Sequence, residues 1–294
     1  MKKKKRTWPF KIIFVLGFLI LIYPQVSRIY YRVESTQEVS TFDTAKEKLT
    51  DEEVKERMEL AKDFNDSLVN KVTEDPYAKN RHDKGRAEYA RMLELHEKIG
   101  HIQIPSIDVD IPIRAGTSEE VLQTSAGHLE GTSLPIGGNS THTVITAHSG
   151  LPTAKLFSDL KKVKLGDRFY IHNLSETIAY EVDQILTVVP EDFSNLLIVP
   201  GHDYATLLTC TPIMVNSHRL LVRGHRVPYS ESIDDNFILS SQREFMYKYI
   251  FIGTVAFIIL MLILIRYYRK KSELLLVDLR EINKKQDEVD HGEE

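Results

Sequence analysis

ATLLTCTP, at residues 205–212, contains the only cysteine of this 294-residue chain, Cys210. The run is strand-like, and the Thr-Pro pair after Cys210 predicts a turn, so the thiol is expected at a strand end. Outside the cytoplasm most cysteines are paired in disulfides, and a single cysteine has no partner within its own chain. Cys210 is therefore either a small buried side chain or a thiol kept for chemistry, and its position favours chemistry.

From residue 99 onward the sequence consists of short β-type runs separated by turn signals. Many short strands at such spacing predict a mainly β fold, either a sandwich or a barrel. The longest run is expected to bend once, and short helical pieces are expected at 118–123 and 153–160. The predicted strands are 99–104, 109–113, 143–147, 168–172, 177–189, 204–209 and 219–227.

The segment from residue 41 to residue 98 has a charged, helical pattern instead. Thr50 followed three residues later by Glu53 is a capping box, and apolar residues recur at helical spacing after it. A second helix is predicted over 83–98. The run EDPY at 74–77 lies between the two, and because proline disfavours helix at the residue before it, this run is expected to be a loop.

Two apolar segments predict how the chain meets a membrane: residues 12–23, after MKKKKR, and residues 249–265, before a basic run. The second is uncharged, is flanked by tyrosines and is nearly as long as the ~20 residues of a spanning helix. The first is a signal-peptide core or an anchor, and the lack of a small-x-small cleavage site favours an anchor. Since both basic clusters lie at the outer ends, both termini are expected in the cytoplasm, with the middle outside the cell.

The chain is therefore predicted to have six parts. These are a basic end with the signal or anchor segment (1–29), a helical region with a loop (30–98), a catalytic β domain (99–228), a linker (229–246), a transmembrane helix (247–268) and a cytoplasmic tail (269–294). The net charge is −4, and the basic residues do not alternate with aromatics in a stripe, which argues against nucleic-acid binding. The basic runs beside the apolar segments fit anionic lipid headgroups.

A cysteine nucleophile needs a nearby base, and the chain has eleven histidines. His148 follows the apolar run VITA and precedes a Ser-Gly turn, so it is expected at a strand end, as Cys210 is. His142, at the opposite end of the same run, is its nearest rival. Arg219 follows Cys210 by nine residues, which fits a return strand, and is either an oxyanion-stabilising group or a surface arginine. No metal-binding spacing of histidines or cysteines occurs, which argues against metal catalysis.

Three motifs together resemble the sortase family: TLLTC at 206–210, TAHSG at 146–150 and NSHRL at 216–220. The resemblance covers about residues 99–227 and implies a closed, eight-stranded β-barrel with short helices. It also implies an activity: Cys210 attacks an L-P-x-T-G sorting signal between threonine and glycine, forms a thioester and passes the acyl group to an amine. In that chemistry His148 transfers protons, Arg219 stabilises the oxyanion, Thr209 orients Arg219 or the substrate, and no cofactor is required.

The second apolar segment and the Asp-Pro-aromatic tripeptide resemble the pilin-polymerising branch of that family, class C. In that branch such a tripeptide forms a lid over the active site. The resemblance implies that Asp75, Pro76 and Tyr77 form this lid, in which Asp75 pairs with Arg219 and Tyr77 covers Cys210. It further implies that the acceptor is a lysine of another pilin subunit.

The sequence leaves three other functions open. A housekeeping sortase would use a cell-wall peptide amine as acceptor, which the lid and second anchor argue against. A papain-like protease typically has its cysteine first and on a helix, whereas here His148 precedes a strand-borne Cys210. A membrane-tethered ectodomain without enzymatic activity is the alternative from another class.

Overall fold

The computed structural model describes residues 8–68, 77 and 88–290. It has four α-helices: α1 (Trp8–Lys46), α2 (Asp51–Ser67), α3 (Glu119–Thr124) and α4 (Glu231–Asp290). Eight strands complete it: β1 (Gly100–Ile104), β2 (Val109–Ala115), β3 (Ala126–His128), β4 (Thr141–Thr146), β5 (Arg168–His172), β6 (Thr177–Val188), β7 (Asp203–Thr211) and β8 (His218–Val227).

The eight strands form a closed barrel in the order β1-β2-β3-β4-β7-β8-β6-β5. The pairs β2–β3 and β4–β7 are parallel and the other six are antiparallel. Of the two expected architectures, the barrel is confirmed, and each of the seven predicted strands overlaps an observed one. Strand β3 was not predicted, because its three residues, Ala-Gly-His, are too few to show a β pattern.

A β-bulge supplies the bend expected in the longest strand. The register of β6 against β8 shifts between Val182 and Gln184. Because side chains alternate between the two faces of a strand, one extra residue moves all later side chains to the opposite face. Leu186 and Val188 consequently pair with Leu221 and Arg219, on the outer surface of the barrel.

Large apolar side chains fill the barrel interior. Phe169, Tyr180 and Val222 are fully buried there, and each such side chain contributes roughly 1.5–3 kcal/mol to stability. Gly224 on β8 lies against them: a Cβ at this position would stand 2.8 Å from the ring of Phe169. The fold therefore needs glycine there because the aromatic side chains already occupy the space.

Helix α1 includes the first predicted apolar segment and continues to Lys46, where it packs on the barrel. Phe42 and Val39 are buried in this contact. Ion pairs fix the same helix to β1, to β2 and to the turn between them. Arg32 pairs with Asp108, Glu38 binds Arg114 at 2.7 Å, and Asp43 lies 3.5 Å from His101.

Helix α2 begins at the capping box predicted around Thr50. The Thr50 hydroxyl accepts a hydrogen bond from the Glu53 amide at 3.3 Å, and the Glu53 carboxylate accepts one from the Thr50 amide at 2.8 Å. Two of the four amides that a helix start leaves without intrahelical partners are thereby satisfied.

The second predicted helix, 83–98, is wrong over its described part. Residues 83–87 lie outside the described residues, and Glu88–Leu93 form a short 3₁₀ helix. The chain then reverses through His96 and Glu97, which have positive φ angles of 48° and 70°. Leu95 and Lys98 bond each other's backbone across this turn, at 2.8 and 3.0 Å. The turn directs the chain into β1, so tertiary packing overrides the helical pattern.

Of the two short helices expected inside the barrel sequence, one is present. Helix α3 overlaps the predicted 118–123. The predicted 153–160 is a series of turns ending in a 3₁₀ helix at Leu160–Lys162. Two features of the backbone are incompatible with a helix here. The Phe157 amide donates to the carbonyl of His148 at 3.1 Å, outside the segment, and Leu156 adopts a positive φ of 37°.

The chain divides into two compact units, Met1–Ile238 and Leu239–Glu294. In the first, the start of α4 is fixed by Asp234, which accepts hydrogen bonds from Tyr170 at 2.8 Å and Arg168 at 3.0 Å. The second unit is the rest of the described helix. Among the described residues, one stretch, Ile250–Glu273, is long and apolar enough to cross a membrane.

Candidate active site

Cys210 and Arg219 are direct partners across the antiparallel pair β7–β8. Cys210 is the last residue but one of β7, and Arg219 is the second residue of β8. Both side chains are nearly buried, with 6 % of each residue exposed. The strand-end thiol and the neighbouring arginine expected from spacing are therefore brought together by strand register.

His148 reaches the same place from the other neighbour of β7. Strand β4 runs parallel to β7 and pairs Thr146 with Leu208, two residues before His148 and Cys210 respectively. Just past the end of β4, the hydroxyl of Ser149 donates to the Cys210 carbonyl at 2.6 Å. The parallel pairing thus brings His148 to the same end of the barrel as Cys210. Nε2 of His148 lies 3.5 Å from the carboxylate of Glu119.

Arg219 is held by backbone carbonyls. Its Nη1 donates to the carbonyl oxygens of Asn216 and His218, both at 3.0 Å. Its guanidinium carbon stands 5.2 Å from the ring centroid of Tyr77, within cation–π range. These contacts fix the guanidinium at the start of β8, next to the partner position of Cys210.

Tyr77 lies over this group of residues. Its ring is 5.3 Å from that of His148, and its hydroxyl donates to the Ala147 carbonyl and contacts the Thr146 hydroxyl, both at 2.7 Å. Burial, followed by the nearby Cys210, raises the pKa of Tyr77 above its ordinary value, so the phenol stays protonated as the donor. Asp75 and Pro76, the other residues of the predicted lid, lie outside the described residues.

Thr209 lies in the contact between β4 and β7. It is buried, and its hydroxyl donates to the Ala147 carbonyl at 2.7 Å. A hydroxyl has a single proton to donate, and Thr209 donates it to the residue that follows β4. Thr209 therefore tethers the strand segment that precedes His148 to the strand that carries Cys210.

An apolar cluster lies on the outer surface of the barrel next to these polar groups. The side chains of Leu208 and Leu221 form part of its base, and Tyr77 packs against one part of it. We call these residues the outer apolar cluster: buried Leu129, Val144, Leu196, Leu208 and Leu221, with partly exposed Tyr77, Leu186, Val188 and Phe193.

Sequence reasoning missed several residues of the site. Ser149 and Glu119 contact Cys210 or His148, and Phe193 belongs to the outer apolar cluster. Ser149 could have been predicted as a site residue from its position directly after His148 in the turn. Glu119 and Phe193 gave no local signal because their proximity depends on closure of the barrel.

Three other described histidines, His142, His101 and His172, lie away from this site. His142 is buried near the other end of β4, with hydrogen bonds from both ring nitrogens. His101 stacks on His172 at 4.1 Å beneath α1. Within residues 8–68, 77 and 88–290, no three or more His, Cys, Asp or Glu side chains are grouped as a metal site.

Comparison with known proteins agrees with this geometry. Residues 102–227 match the family described as the sortase domain. The structure is similar to that of sortase C-1 from Streptococcus pneumoniae, with 64% identity, a TM-score of 0.65, and coverage of 66% of this chain and 100% of that one. It is also similar to the pilus-related sortase C of Group B Streptococcus, with 66% identity, a TM-score of 0.64, and coverage of 66% and 98%.

The structure thus has a buried cysteine and its cross-strand arginine at one end of a closed barrel, and a histidine follows the neighbouring strand at the same end. The chain belongs to the sortase family, and its likeness to solved structures places it with class C. More distant similarity extends to sortase A of Bacillus anthracis, 28% identical over 135 residues. That alignment covers 46% of this chain and 62% of the relative, so the chain matches less than two thirds of it.

Proposed function

We propose that this protein is a membrane-anchored cysteine transpeptidase that joins pilin subunits. The observation that carries the proposal is the juxtaposition of Cys210, Arg219 and His148 at one end of the barrel. The donor is a pilin with an LPxTG-type sorting signal, cut between threonine and glycine. The acceptor is a lysine amine of another pilin subunit.

In the first half-reaction, the Cys210 thiolate attacks the carbonyl carbon of the signal's threonine and forms a tetrahedral oxyanion. The bond to the glycine nitrogen then breaks, His148 gives that nitrogen a proton, and a thioester remains on Cys210. In the second half-reaction, the lysine amine attacks the thioester carbonyl and loses a proton to His148. The carbon–sulfur bond breaks, an isopeptide bond remains, and the thiolate is restored.

Arg219 stabilises the negative charge that develops on the substrate oxygen. A guanidinium presents its N–H groups in a fixed fork. Nη1 is engaged by two carbonyls, which preorganises the rest of the group beside the partner position of Cys210. Donors held in place before the reaction stabilise an oxyanion without having to reorganise during it.

We further propose that Asp75, Pro76 and Tyr77 form a lid over the resting site. Its support is the contact of Tyr77 with the His148 ring and the Arg219 guanidinium. In this proposal Asp75 pairs with Arg219, while Tyr77 covers the thiol. A sorting signal must displace Tyr77 in order to reach Cys210.

The membrane arrangement follows from the two apolar segments. We propose that the barrel lies outside the cell, that the segments within 1–29 and 247–268 anchor it in lipid, and that both ends of the chain are cytoplasmic. The apolar stretch Ile250–Glu273 supports the second anchor. Its basic flank supports the orientation through the positive-inside rule.

The direct test incubates full-length protein in detergent micelles with a peptide containing LPETG and measures the intact mass. A Cys210 adduct with the mass of the peptide's acyl part supports the proposal, and the Cys210→Ala protein must show no adduct. Supplying either Nα-acetyl-lysine or triglycine as acceptor then separates the two kinds of sortase. Faster release of the adduct by lysine supports pilin joining, and preference for triglycine supports the housekeeping alternative.

A further inference from the structure

His142 is a buried histidine that the proposed chemistry does not use. Only 1 % of it is exposed, and both ring nitrogens are bonded: Nδ1 lies 2.8 Å from the Leu197 carbonyl oxygen and Nε2 lies 2.7 Å from the Thr206 hydroxyl. A carbonyl only accepts, so Nδ1 carries the proton, and in the neutral ring Nε2 accepts from Thr206. Burial lowers the pKa of His142, in keeping with a neutral ring.

The hydrogen bond between His142 and Leu197 attaches the segment that connects β6 to β7 to the wall of the barrel. His142 and Thr206 belong to the strands β4 and β7, whereas Leu197 belongs to the segment 189–202 that connects β6 to β7. The same segment supplies Phe193 and Leu196 to the outer apolar cluster. The hydrogen bond of His142 is therefore made one residue away from a side chain that packs beside the active site.

We propose that His142 is a positioning residue that sets the shape of the apolar surface receiving the donor peptide. This inference rests on the proposed function, since it assigns the outer apolar cluster to the leucine and proline of the sorting signal. By holding the Leu197 carbonyl, His142 keeps Leu196 and Phe193 against Leu208 and Leu221. It touches neither the thiol nor the reacting carbonyl, and acts through the connection 189–202.

Three substitutions separate the two hydrogen bonds of the ring. The amide nitrogen of asparagine stands where Nδ1 stands, so His142→Asn keeps the bond to Leu197. The longer glutamine places its amide near the position of Nε2, so His142→Gln keeps only the contact with Thr206. His142→Ala loses both bonds. Both His142→Ala and His142→Gln leave the Leu197 carbonyl without its donor from residue 142, which is the loss of one buried hydrogen bond.

The measurement is KM and kcat for acyl transfer from the LPETG peptide, on the full-length protein in micelles. We expect His142→Ala and His142→Gln to raise KM about tenfold with little change in kcat, as loss of one hydrogen bond to a substrate-shaping segment predicts. His142→Asn should restore most of the loss in KM. Hydrogen exchange of the amides in 189–202 should become faster in the first two variants and stay close to wild type in the third.

Tyr170→Phe is the matched control. It also removes one buried hydrogen bond, to Asp234, but on β5, three strands from β7 in the barrel. It should leave KM and the exchange of 189–202 unchanged. Equal KM values in wild type, Asn and Gln variants, or unaltered exchange of the connection in His142→Ala, would overturn the inference. If wild type formed no Cys210 adduct while exchange changed as expected, the proposed function would fail and the positional role of His142 would stand.

Discussion

Cys210 and Arg219 occupy the same rung of the β7–β8 ladder, and each is 6 % exposed. A thiol and a guanidinium on paired strands are held by backbone hydrogen bonds on both sides, so their spacing does not depend on a flexible loop. The barrel thereby provides the rigidity that catalytic groups need.

This relationship predicts that Arg219→Lys is not a conservative change. Lysine carries a compact charge and lacks the fixed fork of donors, so the oxyanion loses its aligned partner. We expect the rate of acyl-enzyme formation to fall by about 10²–10³-fold, the usual effect of losing one oxyanion donor. Rapid-quench mass measurement of the Cys210 adduct gives this rate.

Arg223→Lys is the control for that change. Arg223 lies on the same strand and the same face, four residues further on, and forms two bonds with Asp183 at 3.0 and 3.1 Å. Its substitution should alter the rate by less than a factor of about three, because an exposed ion pair contributes little. Comparable losses in both variants would mean that Arg219 acts only through general charge.

Seven of the eight strands could be predicted from the sequence because each of them carries its own β pattern, whereas β3 is too short to show one. The position of Cys210 before Thr-Pro was informative because it marks the end of such a strand. The adjacency of β4 and β7 could not be predicted, because their parallel pairing depends on how the chain closes into a barrel. Contacts such as Ser149 with Cys210 follow from that closure. The failure over 83–98 has another cause: His96 and Glu97 adopt positive φ angles in a turn closed by Leu95 and Lys98, and their residue types do not indicate such a turn.

His148 and His142 are expected to differ in the kinetic constant that they affect. His148 lies at the same end of the barrel as the thiol, so His148→Ala should lower kcat by about 10²–10⁴-fold, as for other proton-transfer groups. His142→Ala should act mainly on KM. Steady-state kinetics of both full-length variants with the LPETG peptide provides the comparison. A larger fall in kcat for His142→Ala would reverse the assignment of the proton carrier.

The link between α1 and the barrel should make stability depend on pH. Burial alone would lower the pKa of His101, but hydrogen bonds to Asp110 and Asp43 raise it to about 9, against 6.5 for an unperturbed histidine. Between these two values the folded state binds more protons than the unfolded state. Stability should therefore fall as pH rises from about 6.5 to 9, by at most roughly 3 kcal/mol from this residue.

Unfolding by denaturant at pH 6.5, 7.5 and 9, followed by circular dichroism, measures this slope. In His101→Gln the corresponding decline should disappear, and in Asp43→Asn it should become smaller, because Asp43 supplies one of the two carboxylates. Identical slopes in wild type and His101→Gln would show that this histidine does not couple α1 to the barrel.

Tyr77 is expected to restrict access to the thiol. Its ring contacts both His148 and Arg219, and its hydroxyl bonds the Ala147 carbonyl, so its removal should uncover Cys210. A lid that opens for substrate is closed by only a few kcal/mol, which leaves an open population of about 0.1–10%. Tyr77→Ala should therefore react with a methanethiosulfonate reagent about tenfold faster or more, and Asp75→Ala should react faster too if it pairs with Arg219.

Tyr77→Phe refines this test because it keeps the ring and loses only the hydroxyl. Its labelling rate should lie between those of wild type and Tyr77→Ala, since the ring contacts remain while the two hydrogen bonds of the hydroxyl, each of about 1 kcal/mol, are lost. The unfolding midpoint of the barrel should change little in all three variants, because Tyr77 packs on the outer surface and not in the barrel interior. Equal labelling rates in wild type and Tyr77→Ala would mean that Tyr77 does not cover the thiol in solution. Faster labelling in Tyr77→Ala but not in Asp75→Ala would assign closure to the aromatic ring and remove Asp75 from the proposed lid.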